Sequence, residues 1–453
     1  MQPLTANTRS TSTNVLVRYY EQLTSTPVAH AGRPDGPFEP LFAFPAMDDQ
    51  VADFLDPATA THHVLDEVGG VRLRLLDLRR NPATQTTKTM ASLLLVARAV
   101  EHIRRTGQRL MIFSPSSGNK AVALRDAVER AIRHGLVDPH QLRIVTLTPA
   151  STAAKLRSSW LSEQPELRRL NPVVVLRGHS PEAVKAVGAE FVREYTRGPQ
   201  HAGQAWATLR LDNYQQADVA RAFADHEFGT AGVEGPRLVH AHAVSSAFGL
   251  LGYQSGLNRL RATGATVNQP GYLLVQHLAT CDMVLHTLHG DFDRARMPRY
   301  RFGEGCWRQD ESPHFPARAW SPDETLEETF YTRNPLTAVE MSGLIARHGG
   351  TGVVVSLQEC VERYAECRHL LRDTDITLPD DPRELREWSL VMALTGVLNA
   401  VDRTLIQNVD DLVVHASGSY GVSDYVPIPA EDLVTVEDAA GLLDAVEPTA
   451  SVM

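Results

Sequence analysis

The sequence predicts an α/β protein with mostly parallel sheets, and three observations carry that prediction. Short apolar, β-branched runs bounded by turn residues alternate with longer stretches of helical periodicity. The alternation runs over most of the chain, and parallel neighbouring strands need a crossover element between them. The 453 residues, 43% hydrophobic and 22% charged, suffice for two or three lobes around a sizeable core. That composition excludes a disordered, collagenous or disulfide-stapled chain.

In chain order, the first 65 residues are rich in Thr, Pro and Gly with scattered aromatics, and read as an irregular extension that packs on the body. Strands are expected at 71–76, 110–113, 142–147, 173–176, 238–242, 272–275, 353–356 and 412–414. Helices are expected at 92–104, 119–134, 181–195, 248–261, 357–371 and 384–400. Residues 290–328 break the rhythm with Arg, Trp, Pro and Gly, and read as a long surface excursion. Its aromatics Trp307, Phe315 and Trp320, with Tyr331 just beyond, are expected to pack at the surface, with a lid over a cleft as the alternative.

Charge and cysteine usage narrow the function. Lys+Arg 44 against Asp+Glu 54 gives a net charge of −10, which offers no basic surface for a phosphate backbone and argues against nucleic-acid binding. Cys281, Cys306, Cys360 and Cys367 form no CxxC pair and sit at no zinc-ligand spacing; Cys360 and Cys367 are expected to face the core from one helix. No apolar run approaches the roughly 20 residues that span a bilayer. The reading is of a cytoplasmic protein without a metal or a membrane.

Two local signals point to chemistry. The run Ser114-Pro115-Ser116-Ser117-Gly118-Asn119 follows an apolar strand and precedes an amphipathic helix, which places backbone N–H groups and hydroxyls where an anion would bind. Helix capping explains any two of those residues equally well. Lys88 stands at the start of an apolar helical stretch. A partly desolvated amine near a helix N-terminus has a depressed pKa and is suited to Schiff-base chemistry, whereas a surface lysine would snorkel. Among 44 basic residues only Lys88, Lys120, Lys155 and Lys185 are lysines, the last two on what read as ordinary helices. A Schiff base is the role arginine cannot take, and Lys120 is the fallback for it.

Taken together, these segments resemble the fold-type II pyridoxal-phosphate enzymes, a group that includes threonine synthase, cysteine synthase and serine/threonine dehydratase. The resemblance covers about residues 66 to 425. It rests on Asn81-Pro82 with the Thr-rich loop ending in Lys88, on Ser116 to Asn119, and on 238–252, whose strand, loop and helix look like the family's phosphate-binding segment. It rests further on 270–276, on 347–356, on Glu387-Trp388-Ser389 where the family has Glu-Pro-Ser/Thr, and on Ser417-Gly418-Ser419. The departures are a Gly-free loop before Lys88, Lys120 in place of the usual Thr, and the Gly-poor phosphate loop Val244-Ser245-Ser246-Ala247-Phe248-Gly249.

The resemblance implies two three-layer α/β domains, the small one inserted into the large one. Residues 66–90 and 236–435 would form the large cofactor domain, 91–235 the small mobile one and 436–453 a tail. It implies pyridoxal 5'-phosphate as cofactor, Lys88 as the catalytic lysine, and cofactor contacts from Asn119, Ser245, Ser246, Ala247, Gly249 and Ser417. Substrate contacts would come from Thr87, Ser116, Ser117, Gly118, Asn119 and His242; His240 and His242 alternate on one strand and read otherwise as polar core. The implied chemistry is β/γ-elimination or replacement on a hydroxy-, phospho- or otherwise activated amino acid, by a homodimer. A catalytically inactive relative that only binds is the alternative.

Overall fold

The computed structural model describes residues 10–27, 38–116, 118–178, 183–197, 205–208, 212–232 and 235–450. Its strands, in chain order, are β1 (Ser10–Asn14), β2 (Thr59–Val68), β3 (Val71–Asp77), β4 (Leu110–Pro115), β5 (Leu142–Pro149), β6 (Val173–Leu176), β7 (Ala205–Ala207), β8 (Leu238–Ala243) and β9 (Gly271–His277). Three short strands follow, β10 (Arg301–Gly303), β11 (Cys306–Arg308) and β12 (Arg318–Ala319). The series ends with β13 (Gly350–Val355), β14 (Leu385–Glu387), β15 (Asp411–Ala416), β16 (Tyr420–Gly421) and β17 (Val434–Val436).

Two sheets dominate. One has the order β1-β2-β3-β15-β8-β9-β13, parallel from β3 to β13; the other, all parallel, has the order β17-β6-β5-β4-β7. Every residue of β4, β5, β6, β8, β9 and β15 is buried, as strands covered by helices on both faces must be. The helix Lys88–Thr106 buries thirteen of its residues and packs on the helices Asn119–Arg133 and Asp212–Phe228. The helix Ser389–Asp402 fills the opposite face of the larger sheet.

Several expectations are revised. The segment before residue 65 is not irregular where described: β1 and β2 add two antiparallel strands to the larger sheet, with Leu16, Leu23, Phe54 and Leu55 buried behind them. Residues 434–450 pack on the body: β17 pairs with β6, and the helix Ala439–Ala450 buries Leu442 and Val446 against Phe191. The excursion at 290–328 carries its own three-stranded sheet, β10-β11-β12, with Phe315 buried and Trp320 exposed. Residues 357–371 make two helices, Leu357–Glu362 and Tyr364–Leu371, broken at Arg363; Cys360 and Cys367 are nonetheless buried. The helix expected from 384 begins only at Ser389, because 385–387 pair with β16 as a strand.

Candidate functional site

A pocket of about 140 Å³ opens beyond the carboxyl ends of β8 and β15, the position where open α/β sheets place ligands. Lys88, Asn119, His242, Ser417 and the turn 244–249 line it, with Thr87 beside Lys88 and Phe330 on the outer side. Of the four aromatics expected as an alternative lid none lines this pocket; Tyr331 lines an adjoining cleft that shares Phe330 with it.

Lys88 is the first residue of its helix and is preceded by Thr87, which makes no side-chain cap. Its Nζ lies 5.5 Å from the centroid of the Tyr214 ring. Burial lowers the amine's pKa against the pull of Asp218, and the Arg221 guanidinium adds to the depression. Lys120 reaches the same ring, 5.4 Å from its centroid, and donates to the Thr208 carbonyl. Burial first, then the charges of Lys88 and Lys185, push its pKa down to about 7.

The Ser/Gly/Asn turn is less open than its polarity suggests. Ser116 is buried, and its Oγ accepts the backbone N–H groups of Gly118 at 3.2 Å and Ala121 at 3.0 Å. Ser116 is therefore a helix cap rather than the expected substrate contact. Ser117 lies outside the described residues. Gly118 has φ +130°, a conformation only glycine adopts without strain. Asn119 Nδ2 donates to Glu387 Oε2 at 2.7 Å, and its Oδ1 accepts the Tyr420 hydroxyl at 2.8 Å. Behind them Lys155 Nζ lies 2.5 Å from Glu327 Oε1 and 3.1 Å from Glu387 Oε2. Lys155 is thus not on an ordinary helix: it ends a short 3-10 turn, Ala150–Lys155, and is itself buried. Burial opposes its charge, but the two carboxylates raise its pKa well above the usual value; burial, seconded by Glu327, raises that of Glu387.

The turn 244–249 is held open. Ala247 turns the chain at φ +55° and begins the helix Phe248–Ala262, which has no side-chain cap and no acidic residue in its first turn. Its leading N–H groups and positive dipole end are left for an anion. Ser245 Oγ is bonded to Thr332 Oγ1 at 2.9 Å, and the Ser246 carbonyl accepts Thr337 Oγ1 at 2.6 Å. Gly249 serves a different purpose from a phosphate-approach glycine: a Cβ there would lie 2.6 Å from Arg221 Nη1. Gly252 and Gly256 continue the same bare face, so this helix lies close on Asp212–Phe228 and brings Arg221 and Asp218 beneath the turn.

Under the pocket floor runs a buried polar ladder. Arg221 Nη2 pairs with Asp218 Oδ1 at 2.6 Å, while Nη1 faces His415 Nδ1 at 3.3 Å and His242 Nε2 at 3.4 Å. His415 Nε2 meets His240 Nδ1 at 2.8 Å, and Tyr253 donates to Asp225 Oδ2 at 2.7 Å beside His240. His242 Nδ1 lies 3.1 Å from the His415 carbonyl and 3.2 Å from Ser417 Oγ. Burial lowers the pKa of all three imidazoles, His240 to about 4. Both ring nitrogens of His242 are engaged by protein groups, so its expected part as a substrate contact is replaced by one in this ladder.

Tyr214, Asp218, Arg221 and Glu327 are additions that sequence reasoning missed. The available signal was Arg221 itself, a charge amid Ala217, Val219, Ala220, Ala222 and Ala224, all buried.

Three solved threonine synthases share this architecture. The Escherichia coli enzyme superposes with a TM-score of 0.52 at 14% identity, over 88% of this chain and 82% of that one. A PLP-bound enzyme from Brucella melitensis gives 0.51 at 12%, over 85% and 80%. The yeast enzyme gives 0.51 at 12%, over 89% and 84%. At such identities the likeness is one of fold, and that fold is fold type II, as the motif order implied. No curated protein matches the sequence. Residues 11–450 match a family described as a family of unknown function, DUF6002.

Proposed function

The chain belongs to DUF6002, a family of unknown function, and on that premise we propose that it is a pyridoxal-phosphate enzyme acting on an amino acid by elimination or replacement. One observation carries the reading: the Lys88 amine, with its pKa lowered, shares a pocket with an uncapped helix N-terminus and the Ser417 hydroxyl. A primary amine, an anion site and a hydroxyl are the donor set that an aldehyde, a phosphate and a ring nitrogen require, so the residues fit the group. Lys88 would hold it; the N–H groups leading into Phe248–Ala262 and the side chain of Ser246 would take its phosphate, with Ser245, held by Thr332, and Ala247 and Gly249 shaping the turn. Asn119 and Ser417 would border its ring.

When bound, pyridoxal phosphate supplies an electron sink that acidifies the Cα–H bond of an amino acid. Lys88 Nζ, whose pKa is lowered by desolvation, would accept that proton as general base. The backbone of Gly118 and Asn119, with Thr87, receives the substrate carboxylate. Lys120, with a pKa near 7, is able to return a proton to a leaving group at neutral pH. The substrate in this reading is a hydroxy-, phospho- or otherwise activated amino acid, and the enzyme is a soluble cytoplasmic homodimer with its cofactor between two lobes.

The test is spectroscopic. The purified protein mixed with pyridoxal phosphate is expected to show the visible band of a lysine-bound cofactor, and Lys88→Ala to abolish it and lower turnover by about 10²- to 10⁴-fold. Absence of the band in the wild type would leave a binding protein on an enzyme fold. A band that no member of a panel of amino acids perturbs would sink the elimination and replacement chemistry.

A further inference from the structure

A second cleft, of about 320 Å³, lies outside the pocket and at the small end of the range that holds ligands. The helix Asn119–Arg133 forms one wall with Val122, Arg125, Asp126 and Glu129; residues 82–83, 156–159 and 424–426 line the rest with Glu163. None of these residues has a part in the chemistry proposed above.

Two of its charges lack partners. Arg125 is only 5% exposed, and its Nη1 donates to the Asn171 carbonyl at 2.8 Å, but Nε and Nη2 have no acceptor among the described residues. Glu129, one turn further on, is taken by Arg133 at 3.0 Å and by the Leu161 N–H at 3.3 Å. Asp126 Oδ2 accepts Asn81 Nδ2 at 2.7 Å, which leaves Oδ1 without a donor among the described residues. Burial brings the pKa of Arg125 down to about 10 and that of Asp126 up to about 6, so both are largely charged at neutral pH, and neither makes an ion pair. Buried charges left in this state are costly, and a ligand that pairs them recovers the cost.

We propose that this cleft is a second ligand site, for a free α-amino acid with an apolar side chain. A carboxylate is the partner that Arg125 lacks, and an ammonium is the partner that Asp126 lacks. Val122, Leu156 and Val426 give the side chain an apolar wall. A purely anionic ligand is disfavoured, since the carboxylates of Asp126, Glu129, Glu163 and Asp424 outnumber the guanidiniums of Arg125 and Arg157 around the cleft.

The site adjoins the loop that leads to Lys88. Pro82 and Ala83 line the cleft, while Thr86, Thr87 and Lys88 line the pocket. Asp126 holds Asn81, and Arg157 donates to the Ala83 carbonyl at 2.9 Å and to Gln85 Oε1 at 3.2 Å. An amino acid held by Asp126 therefore stiffens the loop that presents the Lys88 amine. The site rests on these groups and not on the cofactor reading.

Calorimetric titration of the full chain, without added cofactor, with L-valine, L-leucine, L-isoleucine, L-methionine and L-phenylalanine is the test. At least one is expected to bind, one molecule per chain, and binding by none overturns the proposal. The same compound without its amino group, or without its carboxylate, is expected to bind at least tenfold more weakly; equal binding overturns the ligand class. Arg125→Met and Asp126→Asn should each weaken binding at least tenfold. So should Val426→Trp, which fills the cleft from an exposed position and decides the matter should Arg125→Met fail to fold. Binding indifferent to these variants puts the amino acid elsewhere and overturns the proposal. Amide hydrogen exchange at residues 83–88 is expected to slow severalfold on binding, and unchanged exchange overturns the link to Lys88. A protein that binds the amino acid at the cleft but shows no cofactor band defeats the cofactor reading alone.

Discussion

Two strand-turn-helix units face the pocket, one from each large sheet, and they treat their own helix ends in opposite ways. Where β4 runs into Asn119–Arg133, the turn closes on itself: Ser116 accepts two backbone N–H groups, and Gly118 makes the tight bend at φ +130°. Where β8 runs into Phe248–Ala262, a lone Ala247 turns the chain and no side chain caps the helix, while Ser245 is drawn aside to Thr332. In the first unit the Ser116 hydroxyl serves the protein's own backbone; in the second no side chain bonds the first turn of the helix. Local polarity is thus a poor guide to which turn binds an anion. The presence or absence of a capping bond is the better one.

The comparison can be attacked at each turn. Lys120, beside the closed turn, has the largest expected effect. A lysine titrating near 7 in the folded state and near 10.5 unfolded penalises folding fully at and below pH 7, and the penalty fades as pH rises toward 10.5. At about 1.4 kcal/mol per pKa unit, Lys120→Met should stabilise the protein by several kcal/mol at pH 7 and by far less near pH 10. Denaturant unfolding at the two pH values checks this, and an equal gain at both would break the assignment. Next is Gly249→Ala, which forces Arg221 off Asp218 and leaves buried charges unpaired, at a cost of about 3 kcal/mol. Little change in the denaturation midpoint would show that Arg221 moves aside freely. Ser116→Ala comes last, with a loss of about 1 kcal/mol for the missing cap and no change in substrate affinity. A large loss of affinity at intact stability would return the first turn to ligand binding.

What was legible in the sequence followed from periodicity. The buried parallel strands read as apolar runs, and Lys88, Asn119 and Ser417 emerge on one pocket as their motif order implied. The misses have a common physical cause. The ladder and the Lys155–Glu327–Glu387 cluster join residues up to 232 positions apart, and no local pattern encodes a pairing of that range. The helix Asp212–Phe228 escapes sequence reading because buried Asp218, Arg221 and Asp225 interrupt its apolar face, the same residues that build the polar ladder beneath the pocket. The extension before residue 65 concealed β1 because Ser and Thr dominate a strand that is only half-buried at the sheet edge, and β2 because His62, His63, Asp66 and Glu67 interrupt its apolar pattern.

The pairing of β17 with β6 has a consequence for biogenesis. One sheet bordering the cleft takes four strands from residues 110–207 and its edge strand from 434–436. On the ribosome, that sheet holds an unpaired parallel edge at β6 while more than two hundred further residues are made. A chain stopped short of Val434 would keep that edge as an open template for pairing with its neighbours.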